Sequence, residues 1–396
     1  MKLTRMLYII LVLLMLLTTG CWDRKELNEQ AIITAWGFDL NDDGGYRGTA
    51  QFAIPAKMGS GKSAGQGNTA FVTVSGTGKN MYAAAIDMQL KVSRSWFAGH
   101  RKVVLLGDKL AKHGLSRVLD ELSRDPIVRI RTGMFVLKDG LSVQDFLELP
   151  YPLERLSANA LINMQDAVGL NPELSLRNFL MAASSEESCP VLPVVEKTGS
   201  SSGGGSKQTS SEMKLWGFAI FNRDSRLVKY LPMKESFIRQ WIIGQLNSNV
   251  FTVNIPGEEG NILVEADHLK SKIKTSQRDG KVRIIVTLGG RSTIRENNTR
   301  LDLSESKNMM LVQNELNKQA GKYVHKVIRN IQALGTDILG FGEAFHRQHP
   351  YAWKEIKKEW VGKFTEAEVS VALNLRVWGE GKLGPSGILK TNEVKK

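Results

Sequence analysis

The chain has 396 residues, of which 42% are hydrophobic and 23% charged. This composition excludes a disordered, collagen-like or coiled-coil protein and provides enough apolar residues for two or three domains. The formal net charge of +13 is unevenly distributed, because residues 21–211 carry 21 basic and 20 acidic side chains whereas residues 212–396 carry 30 and 20. The two cysteines, Cys21 and Cys189, are too few for a disulfide framework.

The first twenty residues have the pattern of a bacterial lipoprotein signal peptide. Lys2 and Arg5 precede an apolar run of eleven residues, 7–17, which is far shorter than the roughly twenty that a membrane-spanning helix needs. The sequence LTTGC follows, ending at Cys21. We therefore predict that residues 1–20 are removed and that the Cys21 thiol carries the lipid, which anchors the chain outside a membrane. The alternative is a plain secretory signal that ends near a cysteine by coincidence.

Residues 21–198 are predicted to form an α+β region. Its first element is a β-hairpin, because the strand-like runs 31–40 and 46–54 are joined by the turn sequence NDDGG. The periodicity of the following segments predicts further strands and helices. Strands are expected at 71–76, 102–107 and 130–137, helices at 80–92 and 108–125, and a mostly helical stretch at 142–184.

A Gly/Ser-rich stretch, residues 199–211, contains no apolar residue and is predicted to be a linker or a disordered loop. Residues 212–396 beyond it are predicted to form a C-terminal α+β domain. The expected elements are a hairpin (214–221 and 226–231), a helix through Phe237 and Leu246, antiparallel strands near 250–255, 261–275 and 281–289, a long helix at 305–334, a shorter helix and a strand at 368–379. Helices and strands alternate without βαβ regularity, so the fold class is predicted to be multi-domain α+β.

The long helix has a basic face. Lys318, Lys322, Lys326 and Arg329 lie opposite an apolar row with a period of 3.6 residues. This face is interpreted either as a solvated helix surface or as a surface attracted to anionic lipid headgroups. Nucleic-acid binding is not predicted, because no aromatic ladder or recognised motif accompanies the charges and the lipid anchor places the chain outside the cell.

Two segments resemble ligand-binding loops but lack the required surroundings. Residues 56–63, AKMGSGKS, fit a relaxed phosphate-binding loop, yet AGQGN follows where a helix must begin, so we predict a flexible loop. Residues 39–44 match the first half of a calcium-binding EF loop, but the twelfth position is Ala50 instead of a glutamate, so we predict a turn.

Two Glu-x-x-His pairs resemble half of a di-iron motif. Glu265 and His268 lie in an alternating strand, where positions three apart point to opposite faces. Glu343 and His346 have no second pair and are interpreted as an exposed helix end. Cys189 is interpreted as a structural thiol, and the six histidines form no recognisable triad. We therefore predict no catalytic residue, no metal site and no cofactor, and a protein that is not an enzyme.

Several blocks of the sequence resemble the Ger(x)C family, the lipoprotein C subunit of the nutrient germinant receptor of endospore-forming bacteria. The resemblance begins at Cys21 and extends in one order over nearly the whole mature chain. The blocks are CWDRKEL (21–27), AWGFD (35–39), residues 99–114, RDPIVR (124–129), LWGFAIF (215–221) and DILGFGE (337–343), the last followed by Trp353, Trp360 and Phe364.

The resemblance implies a non-enzymatic receptor component that is lipid-anchored through Cys21 on the outer face of the inner spore membrane. Its partners would be a multispanning A subunit and a permease-like B subunit. The resemblance also implies about three domains, which leaves open whether residues 21–198 form one domain or two. It assigns no ligand pocket to named residues, so nutrient binding by this subunit stays open.

Two other function classes remain as alternatives. A solute-binding lipoprotein that presents nutrient to a permease-like partner would need a closed cleft between two similar lobes, and the missing βαβ regularity disfavours it. A surface hydrolase would need a triad or a metal set, which the sequence does not offer.

Overall fold

The computed structural model describes residues 29–55, 70–138, 140–149, 153–170, 174–199 and 211–379, together with a few isolated positions. Cys21 and the loop 56–63 lie outside the described residues. Within the described residues, no helix is both long and apolar enough to cross a membrane.

A nine-stranded mixed sheet organises the first part of the chain. Its strands follow the spatial order β3-β2-β1-β5-β6-β7-β8-β9, and β4 pairs with the start of β1. They are β1 (Gln30–Leu40), β2 (Tyr46–Ala53), β3 (Phe71–Gly78), β4 (Ser95–Phe97), β5 (Val103–Gly107), β6 (Gly133–Leu137), β7 (Val191–Gly199), β8 (Ser211–Phe221) and β9 (Leu227–Pro232).

The first hairpin is confirmed. β1 and β2 pair antiparallel with Leu40 opposite Tyr46, and the intervening residues form a tight turn in which the Asn41 N–H donates to the Gly45 carbonyl. Residues 39–44 are therefore the end of a strand and a hairpin turn, as predicted, and not half of a helix-flanked calcium loop.

The centre of this sheet differs from the prediction. β1, β5, β6 and β7 run parallel to one another, with helices in the connections between β5, β6 and β7. The α+β class is confirmed, but the statement that βαβ regularity is missing is wrong for this region. The sequence predicts β1, β5 and β6 but not β7, and it does not state the parallel order in which these strands pair.

Helices cover both faces of the large sheet. One face packs against α1 (Met81–Gln89), α2 (Asp108–His113), α3 (Ser116–Arg124) and α6 (Leu176–Ala183). The other face packs against α4 (Val143–Glu148), α5 (Ser157–Ala167) and α7 (Met233–Ile242). Burial on both faces explains why central strands such as β5, VVLLG, are apolar at every position.

The Gly/Ser-rich stretch joins two strands of one sheet. β7 and β8 pair antiparallel up to Gly199 opposite Ser211, and β8 then forms the predicted hairpin with β9. The first hairpin of the predicted C-terminal domain, 212–396, thus completes the large sheet. Residues 200–210, which belong to the stretch predicted to be a linker or a disordered loop, lie outside the described residues.

A smaller unit follows, built on a four-stranded sheet with the order β10-β11-β12-β13. Its strands are β10 (Ser248–Val253), β11 (Ile262–Arg278), β12 (Lys281–Asn297) and β13 (Glu368–Gly379). Its helices are α8 (Ser306–Gln332), α9 (Phe341–Gln348), α10 (Pro350–Ile356) and α11 (Trp360–Glu366), with a 3-10 turn at Lys357–Glu359. The predicted long helix and terminal strand are both confirmed.

One apolar core connects the two units. It runs from the second face of the large sheet, through Trp241 and Ile242 of α7, to the inner face of the small sheet and the apolar row of α8. Leu316, Val327 and Ile331 of α8 are each about 1% exposed or less, in agreement with the predicted row.

Candidate functional site

The segment 337–343, DILGFGE, forms a buried junction between the small unit and the end of the α6–β7 connection. Asp337 is 3% exposed, and both of its carboxylate oxygens accept hydrogen bonds. Oδ1 accepts from the N–H groups of Leu339 and Phe341 at 3.0 and 3.3 Å. Oδ2 accepts from the Gly342 N–H at 2.7 Å and from the Trp360 indole at 3.1 Å. The side chain thus caps the N-terminus of α9 and ties it to α11.

The backbone of Asp337 reaches the first unit, since its carbonyl accepts the Cys189 N–H at 2.8 Å. Burial raises the pKa of the Asp337 carboxyl to about 6, although its hydrogen bonds oppose the rise. Above that pH the group is a carboxylate, which can accept from all four donors. We call Asp337, Gly342, Trp360 and Cys189 the junction.

Two glycines allow the junction to close. Gly340 has φ of 70°, a left-handed conformation that places the chain at the start of α9. A Cβ added to Gly342 would lie 2.3 Å from the Glu187 carbonyl oxygen and 2.7 Å from Trp360 Nε1. Glycine at position 342 therefore permits the close contact between α9, α11 and the segment before Cys189.

The side chains around the junction join the same two units. His346 Nδ1 contacts the Glu187 carboxylate, and its ring stacks on Trp353 with centroids 5.5 Å apart. Lys357 forms an ion pair of 2.7 Å with Glu186. Glu343 and His346, interpreted as an exposed helix end, are exposed and partly exposed, and the His346 ring in addition connects the small unit to the first one.

A cleft of about 710 Å³ lies beside the junction, between α6 of the first unit and α9 of the second. Arg177, Arg239, Arg347, Glu187 and Glu343 line it. Several of these groups already have partners in the protein. The Arg239 Nε donates to the Ile338 carbonyl at 2.9 Å, and Arg347 lies 3.8 Å from Glu343.

The basic face of α8 lies on the solvent side of the small unit. Lys318, Lys322, Lys326 and Arg329 are all exposed, and Lys318 forms an ion pair of 2.8 Å with Glu315 on the same helix. The prediction that α8 buries its apolar row and turns these cations outward is confirmed.

Comparison with known proteins assigns the family. The family described as "Spore germination protein N-terminal domain" matches residues 23–197. The family described as "Spore germination B3/ GerAC like, C-terminal" matches residues 216–381. Together the two matches cover most of the chain. The chain belongs to the Ger(x)C family of spore germination proteins.

Individual Ger(x)C relatives match over nearly their full lengths. The chain is 25% identical over 403 residues to "Spore germination protein KC" of Bacillus subtilis (strain 168), covering 98% of this chain and 97% of the relative. It is 23% identical to "Spore germination protein B3" of the same organism, covering 95% and 98%. The crystal structure of the GerBC protein has the same fold, with a TM-score of 0.55, 20% identity, and coverage of 86% of this chain and 96% of that one.

Two other residues that the sequence singled out in this Ger(x)C chain are Cys189 and His268. Cys189 is buried, and burial raises the pKa of its thiol to about 11, in keeping with a structural role. His268 lies at an irregularity of β11 with φ of 49° and contacts Asp267 at 2.7 Å. Among the described residues, no group of three or more His, Cys, Asp or Glu side chains is arranged to hold a metal ion.

The sequence reasoning missed the role of Asp337 in this Ger(x)C fold. The block 337–343 was recognised by resemblance alone. An Asp followed by Gly at positions 340 and 342 is a signal for a side-chain cap at a tight helix start, and it would have pointed to Asp337.

Proposed function

We propose that this protein is a non-enzymatic, lipid-anchored subunit of a nutrient germinant receptor, required for assembly and response of the receptor in spore germination. The observation that carries the proposal is the match of both family descriptions, in order, over residues 23–197 and 216–381. Relatives named as spore germination proteins, aligned nearly end to end, support the same role.

In this proposal the chain is attached through Cys21 to the outer face of the inner spore membrane. It assembles there with the multispanning A subunit and the permease-like B subunit. The exposed cations of α8 support contact with an anionic surface, because solvent-exposed lysine and arginine attract anionic headgroups or acidic protein surfaces within about a Debye length.

A solute-binding lipoprotein is the second candidate, and the cleft of about 710 Å³ is the observation that favours it. Such a protein was expected to have two similar lobes. The units beside the cleft are unlike, since one contains a nine-stranded mixed sheet and the other a four-stranded sheet. A scaffold subunit therefore agrees better with the architecture.

The anchor is tested by metabolic labelling with a fatty-acid analogue. We predict that Cys21→Ala abolishes labelling and leaves the precursor mislocalised, because Cys21 supplies the thiol for the thioether. Cys189→Ala is the matched control and should retain the label, since Cys189 is buried. Label retained by Cys21→Ala would contradict the anchor.

The two candidate functions are separated by binding measurements on the full chain purified in detergent. A receptor scaffold should be retained by the permease-like subunit in a pull-down and should give no heat signal with amino acids or sugars in calorimetry. Saturable heat with one of these nutrients, lost on Arg177→Ala in the cleft, would instead support the solute-binding candidate.

A further inference from the structure

Among the described strands, the terminal strand β13 has one edge that pairs with no other strand. Its other edge pairs with β12 in parallel from Glu368 to Gly379. In a strand, the N–H and C=O groups of one residue point to the same edge, and those of the next residue point to the opposite edge. Leu375 directs both groups away from β12, because its N–H donates to Asn317 Oδ1 at 2.8 Å and its C=O accepts from Asn317 Nδ2 at 2.9 Å.

Side chains of α8 cap this edge at both ends. Beyond Leu375, the Val377 N–H donates to Gln313 Oε1 at 3.0 Å. At the start of the strand, the Ala367 carbonyl accepts from Gln332 Nε2 at 3.0 Å. The same alternation directs the backbone of Val369, Val371 and Leu373 to this side. Within the described part of the chain, no hydrogen-bond partner is recorded for these groups. We call these three residues the open edge.

The open edge begins at a groove, which Val369 lines. A cavity of about 860 Å³ is bordered by Val369 and by Lys322, His325 and Arg329 of α8. Gly321 lies one turn beyond Asn317 on the same helix, and a Cβ added there would meet no atom within 4 Å. Glycine in a helix interior lowers the stability of the helix. At position 321 it also leaves the neighbouring space empty.

The groove carries unneutralised positive charge. Lys322 and Arg329 are exposed, and neither has an acidic partner within 4 Å among the described residues. Glu315 of α8 forms its ion pair with Lys318, and its electrostatic interaction with Lys322 is weaker. A ligand that enters the groove therefore meets two cations without an ion-pair partner beside Val369, the first residue of the open edge.

We propose that the open edge binds an extended acidic segment of a partner protein by strand addition. A peptide backbone supplies the alternating donors and acceptors that the open edge requires, and acidic side chains of the added strand match Lys322 and Arg329. The caps at Ala367 and Leu375 limit the added strand to about five residues, roughly 17 Å.

The chain's own C-terminal residues are a poorer match for this groove. Residues 380–396 contain four lysines and two glutamates, so their net charge has the same sign as the groove. The inference relies on the proposed receptor role only for the existence of a protein partner, and a peptide probe tests the groove independently of that role.

The test uses the full chain purified in detergent and a fluorescent seven-residue peptide of alternating Glu and Val. Fluorescence anisotropy should show binding that weakens with salt, and hydrogen–deuterium exchange should show added protection in β13. Gly321→Met adds a side chain next to Lys322, in space where no atom lies within 4 Å, and should weaken binding about tenfold or more. The Lys322→Glu/Arg329→Glu double variant should do the same.

Two matched controls lie outside the lining of the cavity. Lys354→Glu reverses an exposed cation of α10 that does not border the cavity, and Gly362→Met adds a side chain where no atom lies within 4 Å. Both should bind the peptide within about twofold of the parent. A Lys/Val peptide that binds equally well, or unchanged binding by Gly321→Met, would overturn the proposal.

Two further outcomes would indicate that the open edge binds something other than an acidic segment of a partner protein. Stronger peptide binding after deletion of residues 380–396 would show that this segment occupies the open edge. Concentration-dependent dimers that disappear in Gly321→Met would show that a second copy of the chain does. Either result would overturn the proposal as stated.

Discussion

The junction and the open edge treat backbone polar groups in opposite ways. At the junction, three N–H groups and one indole N–H converge on a carboxylate that is 3% exposed. At the open edge, the backbone groups of three residues of β13 have no recorded partner among the described residues. The first region lies in the core between the two units and the second at the surface beside α8.

The difference shows which polar groups stabilise the fold and which remain available to a partner. An unpaired donor in a dry interior costs about 1–3 kcal/mol, so every group at the junction must be satisfied. A donor at a wet edge bonds to water and costs little until a partner displaces that water. The open edge can therefore persist without a loss of stability comparable to that expected at the junction.

The largest predicted effect is at Asp337. Asp337→Ala leaves four donors without an acceptor in the core, and should lower the free energy of unfolding by about 3–5 kcal/mol. Asp337→Asn should be intermediate, because its amide keeps one acceptor oxygen. Urea denaturation measures both, with Asp166→Ala on the exposed side of α5 as the control, expected within about 0.5 kcal/mol of the parent. A loss below 1 kcal/mol for Asp337→Ala would mean that the junction is not a dry site.

The apolar row of α8 gives the next largest effect. Val327 is fully buried against the small sheet, so Val327→Ala should cost about 2–4 kcal/mol and lower receptor levels by unfolding the unit. Its neighbour Lys326 is exposed, and Lys326→Ala should change stability by less than about 0.5 kcal/mol. Equal effects in denaturation would show that the buried and exposed faces of α8 are wrongly assigned.

Asp39 is a half-buried carboxyl that accepts fewer hydrogen bonds than Asp337, so it offers a second test of the comparison. Burial raises the pKa of Asp39 to about 6, and the Val143 N–H, 2.9 Å from its Oδ2, opposes the rise. Between pH 4 and 6 the folded state therefore holds a proton that the unfolded state has lost, and the unfolding free energy falls as the pH rises through this window. Below about pH 4 the carboxyl is neutral in both states.

Asp39→Asn should remove this component, because the amide does not titrate and its oxygen still accepts from Val143. The stability of the parent relative to this variant should fall by about 1–2 kcal/mol between pH 4 and 6, allowing for partial exposure. Thermal denaturation across that range measures it. The Asp337 contribution, with its own pKa of about 6, is common to both proteins. A constant difference would show that Asp39 is solvated.

The patterns of residues within short segments were enough to predict many helices and strands, but not the order of the strands in the large sheet. The turn residues of the first hairpin, the alternation of β13 and the 3.6-residue period of α8 are properties of short segments. The place of β7 between β6 and β8 depends on pairing with distant residues, such as Val194 with Val136 and Gly217. The sequence of β7 alone does not identify these partners.

The functional regions were less accessible to sequence reasoning for the same reason. Asp337 acts together with Cys189, which is remote in sequence. The open edge is defined by Asn317 and Gln332, which bond to the backbone on either side of it and not to the three residues between. The basic face of α8 was predictable since it depends on helix period alone. Which of its cations borders the groove depends on the placement of β13.

The smallest predicted effect tests whether the caps define the open edge. Asn317→Ala removes both bonds to Leu375, and should cost about 1 kcal/mol, less than Asp337→Ala because this edge is only partly buried. The amide of Leu375 should then exchange with solvent as fast as those of Val371 and Leu373. Asn314→Ala, at an exposed position of the same helix, is the control and should change neither quantity. If Leu375 stays protected in Asn317→Ala, another group covers this edge, and the contrast between a capped end and an open middle of β13 is lost.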